Sequence, residues 1–584
     1  MGTCRPDPRS ARMTFMADTT FTLTPRQIAD AYLDALVAHN PGVAAELGLN
    51  LDDERQPDLS PAGFEAEAEL ARQALAALDA LDPGYLDQEA AGFEAAEAAC
   101  ARLLRERLTA QLAVHDAGDH FRSLNNIECP LHLVRGIFDF MPTATDGDWA
   151  VVAGRLRNVA GALRGYRATL EEGVRRGLLS GPRQVVTVTG QLSSWIGEDD
   201  GEGGNWFAGF AASGPDGRRA ELDSAAAQAT AAVGEFRDWL RDTYAPAAAG
   251  APDIAGRELY VRSARRQTGA DLDLDEAYSW AWTEFNRLEE QQRALAEQVL
   301  PGATPLQALE HLEQNGPSVK GVEGVRVWLQ QIMDGAIEAL DGTHFDLAGP
   351  LREVQAMIAP AGAAAAPYYS APSLDFSRPG QTWLPTLGRE TFPTWQLVST
   401  WYHEGVPGHH LHLTQRMRCA EQLSRYQTTI GNVSAEVEGW ALYAERLMDE
   451  LGFFADPGHR MGFLDEQMLR TIRVIIDIGM HLELEIPAES PFHPGERWTP
   501  ELATEFFADY NGSPAAMRES EITRYLGWPG QAIGYKLGER AWLRGREEAR
   551  RTHGADFDLK TWHMKALSQG GCGLDELTSR LAAL

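Results

Sequence analysis

Cysteine is scarce in this chain, and what there is does not cluster. The five residues, Cys4, Cys100, Cys129, Cys419 and Cys572, are far apart, odd in number and never arranged C-x-x-C. This spacing argues against a disulfide framework, and a reducing, cytoplasmic location is the expectation. No apolar run reaches the 18 or so residues that a membrane-spanning helix needs. The N-terminal MGTCRPDPRSARMTFMADTT has arginines but no apolar core, which makes it a poor signal peptide. It reads as a disordered tail over residues 1–20, with Met13 and Met16 as alternative starts. Basic residues are outnumbered, 52 against 84, for a net charge of −32. This balance argues against general binding to nucleic acid or to an anionic membrane surface. There is no P-loop, no G-x-S-x-G, and no G-x-G-x-x-G between a strand and a helix, so nucleotide-dependent and serine-hydrolase chemistry have no support.

What is present is a long, apolar, helix-rich chain. At 584 residues, 44% of them hydrophobic, it exceeds one compact core and can bury a large one. The segment from Thr24 places Ile28, Tyr32, Leu33 and Leu36 at helical spacing, with Thr24 as N-cap and Pro25 at the first helical position. Residues 63–114, 148–179 and 218–245 also read as helix. Breaks fall at 180–184, at the glycine-rich 197–206, which is a candidate for a mobile loop, and at 247–256. Residues 360–393 are rich in proline and glycine and read as loops with one or two short strands. Tyr368 and Tyr369 are candidates for an edge strand that could take up an extended peptide. The expected fold is mainly α, with an N-terminal helical subdomain over 21–255 and a C-terminal catalytic subdomain over 256–584. A central cleft and a small β or irregular insert near the active site complete it.

The chemistry concentrates in WYHEGVPGHHLHL, from Trp401. His403-Glu404 begins like the zinc signature H-E-x-x-H, but a proline stands at 407. In a straight helix His409 would lie about 120° from the face of His403. His410 would share that face about 10 Å farther along. Neither geometry lets two nitrogens reach one zinc at about 2.0–2.1 Å. Pro407, however, removes the N–H that the His403 carbonyl needs, and Gly408 permits unusual dihedrals. A local bulge here would bring His409 back toward the metal, with His410 as the alternative ligand. Downstream, SAEVEGWALYAERLMDELG reads as a helix capped by Ser434 and ended by Gly452. Glu438 and Glu445 share one stripe beside its apolar face. Two histidines, one glutamate and an open fourth position make a catalytic zinc pattern. Glu438 is then the third ligand, Glu404 the general base and Glu445 a partner for an imidazole N–H.

HEGVPGHH, with EGWALYAE, RVIIDIGMH, RYLGWPGQAIGYKLG and FDLKTWH, resembles the signature blocks of the bacterial domain of unknown function 885 family. The likeness covers most of the chain and is strongest over 365–575. That family in turn looks like the helical zinc oligopeptidases: the thimet–neurolysin type, the thermostable carboxypeptidases and angiotensin-converting enzyme. The departure from their pattern is two residues inserted between Glu404 and Gly408. The resemblance implies peptidase activity in a deep cleft, one Zn²⁺ per chain, and late tyrosines that bind the oxyanion, for which Tyr525 and Tyr535 are the candidates. Arg524 could hold a substrate carboxylate. Arg473, Asp477 and His481 form one helical stripe. Asp477 is a possible second carboxylate behind a ligand, and His481 a possible substrate contact.

The expected function is hydrolysis of small peptides. The alternatives are a peptide-binding protein without turnover, or a zinc amidohydrolase on a non-peptide amide. Mn²⁺ or Co²⁺ would also suit these ligands. Oligomeric state, cleavage mode and side-chain preference are left open.

Overall fold

The structure is a computed structural model and describes residues 23–81, 93–198, 204–359 and 366–584. The expected N-terminal tail, residues 199–203 of the glycine-rich loop and residues 360–365 lie outside the described residues. The chain divides into two compact units. The first comprises the chain up to Asp253 together with Ser424–Thr429, and the second Ile254–Leu423 with Ile430–Leu584.

The first unit is helical. Its principal helices are α1 (Pro25–His39), α2 (Pro61–Asp79), α3 (Phe93–Asp116), α4 (Asp146–Arg176), α5 (Pro182–Trp195) and α6 (Arg219–Trp239). Helix α1 starts as its local chemistry dictates. The Gln27 amide donates to Thr24 Oγ1, the Thr24 amide donates to Gln27 Oε1, and Pro25 occupies the first turn, where no N–H is needed. Helices α4 and α6 pack along each other around Leu156, Leu163, Tyr166, Leu170, Val233 and Phe236, all buried.

The second unit is organised around one long helix. Its principal helices are α7 (Gly256–Thr268), α8 (Leu274–Val299), α9 (Val322–Leu340), α10 (Leu397–Glu404), α11 (His409–Arg418), α12 (Ser434–Glu450), α13 (Pro457–Leu482), α14 (Ala515–Gly527) and α15 (Gly534–His553). Helix α13 is buried on every side from Met461 to His481 and touches α7, α8, α10, α12, α14 and α15. Glu466, Arg470, Arg473 and Asp477 also lie along it, so its charges must find partners inside the protein.

The irregular segment holds more strand than expected. Described strands β3 (Tyr368–Ser370), β4 (Gly380–Leu384) and β5 (Thr391–Pro393) lie within it, and β1 (Ser318–Lys320) and β2 (Val354–Ile358) precede it. Strand β4 is central, parallel to β2 and antiparallel to β3, with Tyr369 opposite Thr382; β1 pairs with β5. Such short pieces carry too few residues for alternation to show in the sequence.

Candidate metal centre

The histidine segment is not a bulged helix but two helices. Helix α10 stops at Glu404 and α11 starts at His409, and the Val406–Pro407 peptide between them is cis. Pro407 offers the His403 carbonyl no hydrogen, so the backbone takes wider steps. The Gly408 amide donates to Tyr402 O (3.0 Å), six residues back, and the His410 amide to Gly405 O (3.1 Å), five back. A Cβ on Gly408 would sit 1.9 Å from His403 O, so only glycine fits. Trp440, on α12, donates its indole N–H to Pro407 O (2.9 Å) and Gly408 O (3.2 Å), filling two carbonyls that the break leaves over. This wide turn absorbs the two extra residues.

His409 thereby returns beside His403, the ring centroids 4.8 Å apart and the planes nearly perpendicular at 88°. Glu438 Oε2 lies 3.4 Å from His403 Nε2 and 3.6 Å from His409 Nε2. Two donors on one tetrahedral zinc are separated by about 3.3–3.4 Å, so the three atoms already stand at nearly the spacing zinc imposes. Glu438 Oε2 is buried with no hydrogen-bond partner, a state that an added cation would relieve. The residues present fit the metal. Glu404 also offers an oxygen, its ligand atom and those of His403 and His409 lying within 4.8 Å of one another. Glu438 is the better ligand because its unpartnered oxygen faces both nitrogens, which leaves Glu404 beside the centre.

Behind His403, Glu445 accepts the Nδ1–H (2.8 Å) and a bond from Ser399 Oγ (2.6 Å). That arrangement turns the Nε2 lone pair toward Glu438. Burial alone would push the Glu438 carboxyl up, but His403 and His409 bring it well below the usual carboxylate range. Glu404 moves the other way: burial raises its carboxyl, only partly offset by His403, His409 and Arg470.

His410 does not join this centre. Its Nδ1 meets Tyr369 Oη at 3.0 Å, and burial pushes its imidazole down to about 4. His412 is buried between Glu436 and Arg416, a tie between α11 and α12.

The two tyrosines part company. Tyr525 is fully buried, and its hydroxyl donates to Glu521 Oε2 (2.5 Å) while accepting from Arg473 Nε (3.2 Å). It has no capacity left for an oxyanion. Tyr535 is partly open to solvent. Burial first, and then the Glu438 charge, lift its hydroxyl above the ordinary value. Its helix, α15, packs closely against α12, which carries Glu438. A Cβ on Gly538 would lie 1.9 Å from Ala435 O, and one on Gly439 2.4 Å from the Gly538 carbonyl carbon, so α12 and α15 approach backbone to backbone.

Two further expectations are corrected. Asp477 accepts from Tyr260 Oη (2.8 Å) and the Gly530 amide (2.9 Å), away from the ligands, and burial pushes its carboxyl up to about 7. His481 accepts the Ala255 N–H (2.8 Å) and donates to Tyr525 O (3.0 Å), so both its nitrogens are spent on backbone. Ser434 opens α12 as its first residue without making a side-chain cap. Arg524 lies against Glu521, Nη1 to Oε1 3.2 Å, with its Nε and Nη2 unpartnered.

Sequence reasoning missed Trp440, Ser399 and Arg470. Arg470 is the buried cation whose field reaches Glu404, Glu438, Glu445 and Tyr535. It also missed the small residues Ala435, Gly439, Gly534 and Gly538, although their paired four-residue spacing was visible.

Fold and site define a mainly helical protein with a buried two-histidine, one-carboxylate centre. Residues 41–581 match the family described as "Bacterial protein of unknown function (DUF885)", and the chain belongs to it. No curated protein matches. Two solved structures are similar, each described as a "putative lipoprotein". One, from Colwellia psychrerythraea, is 20% identical with a TM-score of 0.77 over 96% of this chain and 99% of its own. The other, from Shewanella oneidensis, is 18% identical with a TM-score of 0.70 over 96% and 100%. At these identities the likeness concerns the fold.

Proposed function

We propose that this protein is a zinc-dependent metallopeptidase that hydrolyses small peptides. The observation that carries the reading is the convergence of His403, His409 and the unpartnered Glu438 oxygen, with Glu404 alongside. His403, His409 and Glu438 would hold the metal, which when bound makes a water acidic and polarises the substrate carbonyl. Glu404 takes the proton from the attacking water and passes it to the leaving amine. Its raised carboxyl pKa brings it closer to that two-way task than an ordinary glutamate. Tyr535, a protonated donor at neutral pH, supplies a hydrogen bond to the carbonyl oxygen as charge builds there. Glu445 keeps the His403 ring in register.

Glu404→Gln is expected to retain zinc, measured by elemental analysis, and to lose peptide turnover, followed by mass spectrometry on a peptide mixture. Full activity in that variant rejects the mechanism. Zinc-loaded wild type that cleaves no peptide rejects the peptidase reading itself.

The described cysteines are free and buried, in keeping with a cytoplasmic location as part of this proposal. Among the described residues no helix is long and apolar enough to cross a membrane. The two structural relatives described as lipoproteins point instead to the cell envelope. Fractionation of the source cells separates the two.

A further inference from the structure

Next to Tyr535 lies a cationic assembly that the proposed chemistry does not use. Arg473, on α13, has a side chain only 7% exposed. Its Nε and Nη2 both donate to Glu521 Oε2, at 3.1 and 2.8 Å, and Nε also reaches Tyr525 Oη. One edge of the guanidinium is therefore fixed by α14. The other edge, Nη1 with the outer N–H of Nη2, has no hydrogen-bond partner among the described residues. The guanidinium carbon stands 4.8 Å from the Tyr535 ring centroid. Arg524 shares the same glutamate through Nη1, and its Nε and Nη2 are buried without partners.

Two arginines thus divide one carboxylate, which leaves a net positive charge. Buried N–H groups of a cation are expensive to leave unmatched. A free guanidinium edge is shaped for a carboxylate held by two parallel bonds. Glu404, Glu438 and Glu445 give the neighbouring centre the opposite sign, so an anionic group is drawn toward the Arg473–Arg524 face rather than toward those carboxylates. The Tyr535 ring, from the same side chain that the proposed chemistry uses as an oxyanion donor, lies directly under the Arg473 guanidinium.

We propose that Arg473, supported by Arg524, holds the C-terminal carboxylate of the substrate, so that the site acts at the C-terminal end of peptides. The proposal rests on the peptidase reading for the cleavage, but not for the binding.

The experiment measures binding and turnover separately. Three peptides are compared: a free acid, its C-terminal amide, and an amide carrying glutamate at the last position. Binding is read by calorimetry on zinc-loaded Glu404→Gln, and turnover on wild type. The free acid is expected to bind at least tenfold tighter than either amide, and to be cleaved with a correspondingly lower KM. Arg473→Lys, which keeps the charge but loses the fork, should erase the preference while zinc content stays at the wild-type level. Equal binding of acid and amide overturns the anchor, as does binding of none of the three. A glutamyl amide bound as tightly as the free acid overturns the C-terminal assignment. An acid preference without turnover of any peptide leaves the anchor standing and removes the peptidase reading.

Discussion

Gly538 offers the sharpest test of how the centre is assembled. A methyl group there would be 1.9 Å from Ala435 O and 2.8 Å from Gly439 Cα, and both are backbone atoms that cannot rotate away. Ordinary contact begins near 3.4 Å. Gly538→Ala must therefore push α15 from α12 by about 1.5 Å, or distort both. Overpacking of this kind costs about 3 kcal/mol or more, against about 1 kcal/mol gained from alanine's better helix propensity. A net loss of at least about 2 kcal/mol is expected. Gly335, on α9, supplies the control, since its added Cβ meets nothing within 4 Å. The same substitution there should stabilise by about 0.5–1 kcal/mol. Gly534→Ala should fall between, because its Cβ would meet the Ala435 methyl at 3.1 Å. Urea unfolding followed by circular dichroism reads all three midpoints. A Gly538→Ala midpoint at or above that of wild type would refute the backbone-contact argument.

Three other outcomes follow from the geometry. His409→Ala should abolish stoichiometric zinc and His410→Ala should keep it, as read by elemental analysis; the reverse pattern would reassign the ligand. Glu445→Ala should weaken zinc binding about 10–100-fold in a chelator competition, through loss of the hold on His403 Nδ1. The Asp477 carboxyl, raised by burial to about 7, keeps a proton in the folded protein that the unfolded chain has lost above its ordinary value near 3.8. Native stability should thus decline as pH rises from about 4 to 7 and level off above, by up to about 4 kcal/mol from this group. Asp477→Asn should remove its share of that slope in urea titrations. Asp465, also pushed up to about 7 by burial, should retain the rest.

The residues that the sequence made legible are those whose meaning is local. Thr24 and Pro25 announce α1 because a cap and a missing N–H act within one turn. The Pro407-Gly408 pair said that the helix could not run straight past His403, and the seven-residue step from Glu438 to Glu445 put two carboxylates on one stripe. Periodicity says nothing, however, about a helix buried on all sides. Along α13, Arg473, Asp477 and His481 share a stripe, yet Arg473 meets Glu521 of α14, Asp477 meets Tyr260 of α7, and His481 is spent on the backbone of Tyr525 and Ala255. Tyr525 and Tyr535 stand in one motif with the same chemistry. Only the packing of α14 and α15 decides that one hydroxyl is consumed by Glu521 while the other feels the Glu438 charge. The break at Gly405–Gly408 was wider than a bulge because the carbonyls it releases have a receiver, Trp440, which lies on another helix and far along the chain.

If the centre holds a metal as proposed, Trp440 has a consequence for how the ion would come and go. It stands two residues after Glu438 and grips the two carbonyls immediately before His409. The segments that carry His409 and Glu438 are thus fastened together by a neutral bond that needs no ion. On the proposed metal reading, an ion could leave without the segments drifting apart, and its return would require no refolding search. Loading should then be set by how fast the ion sheds its water and enters, and an emptied protein should refill from a trace supply while keeping its shape.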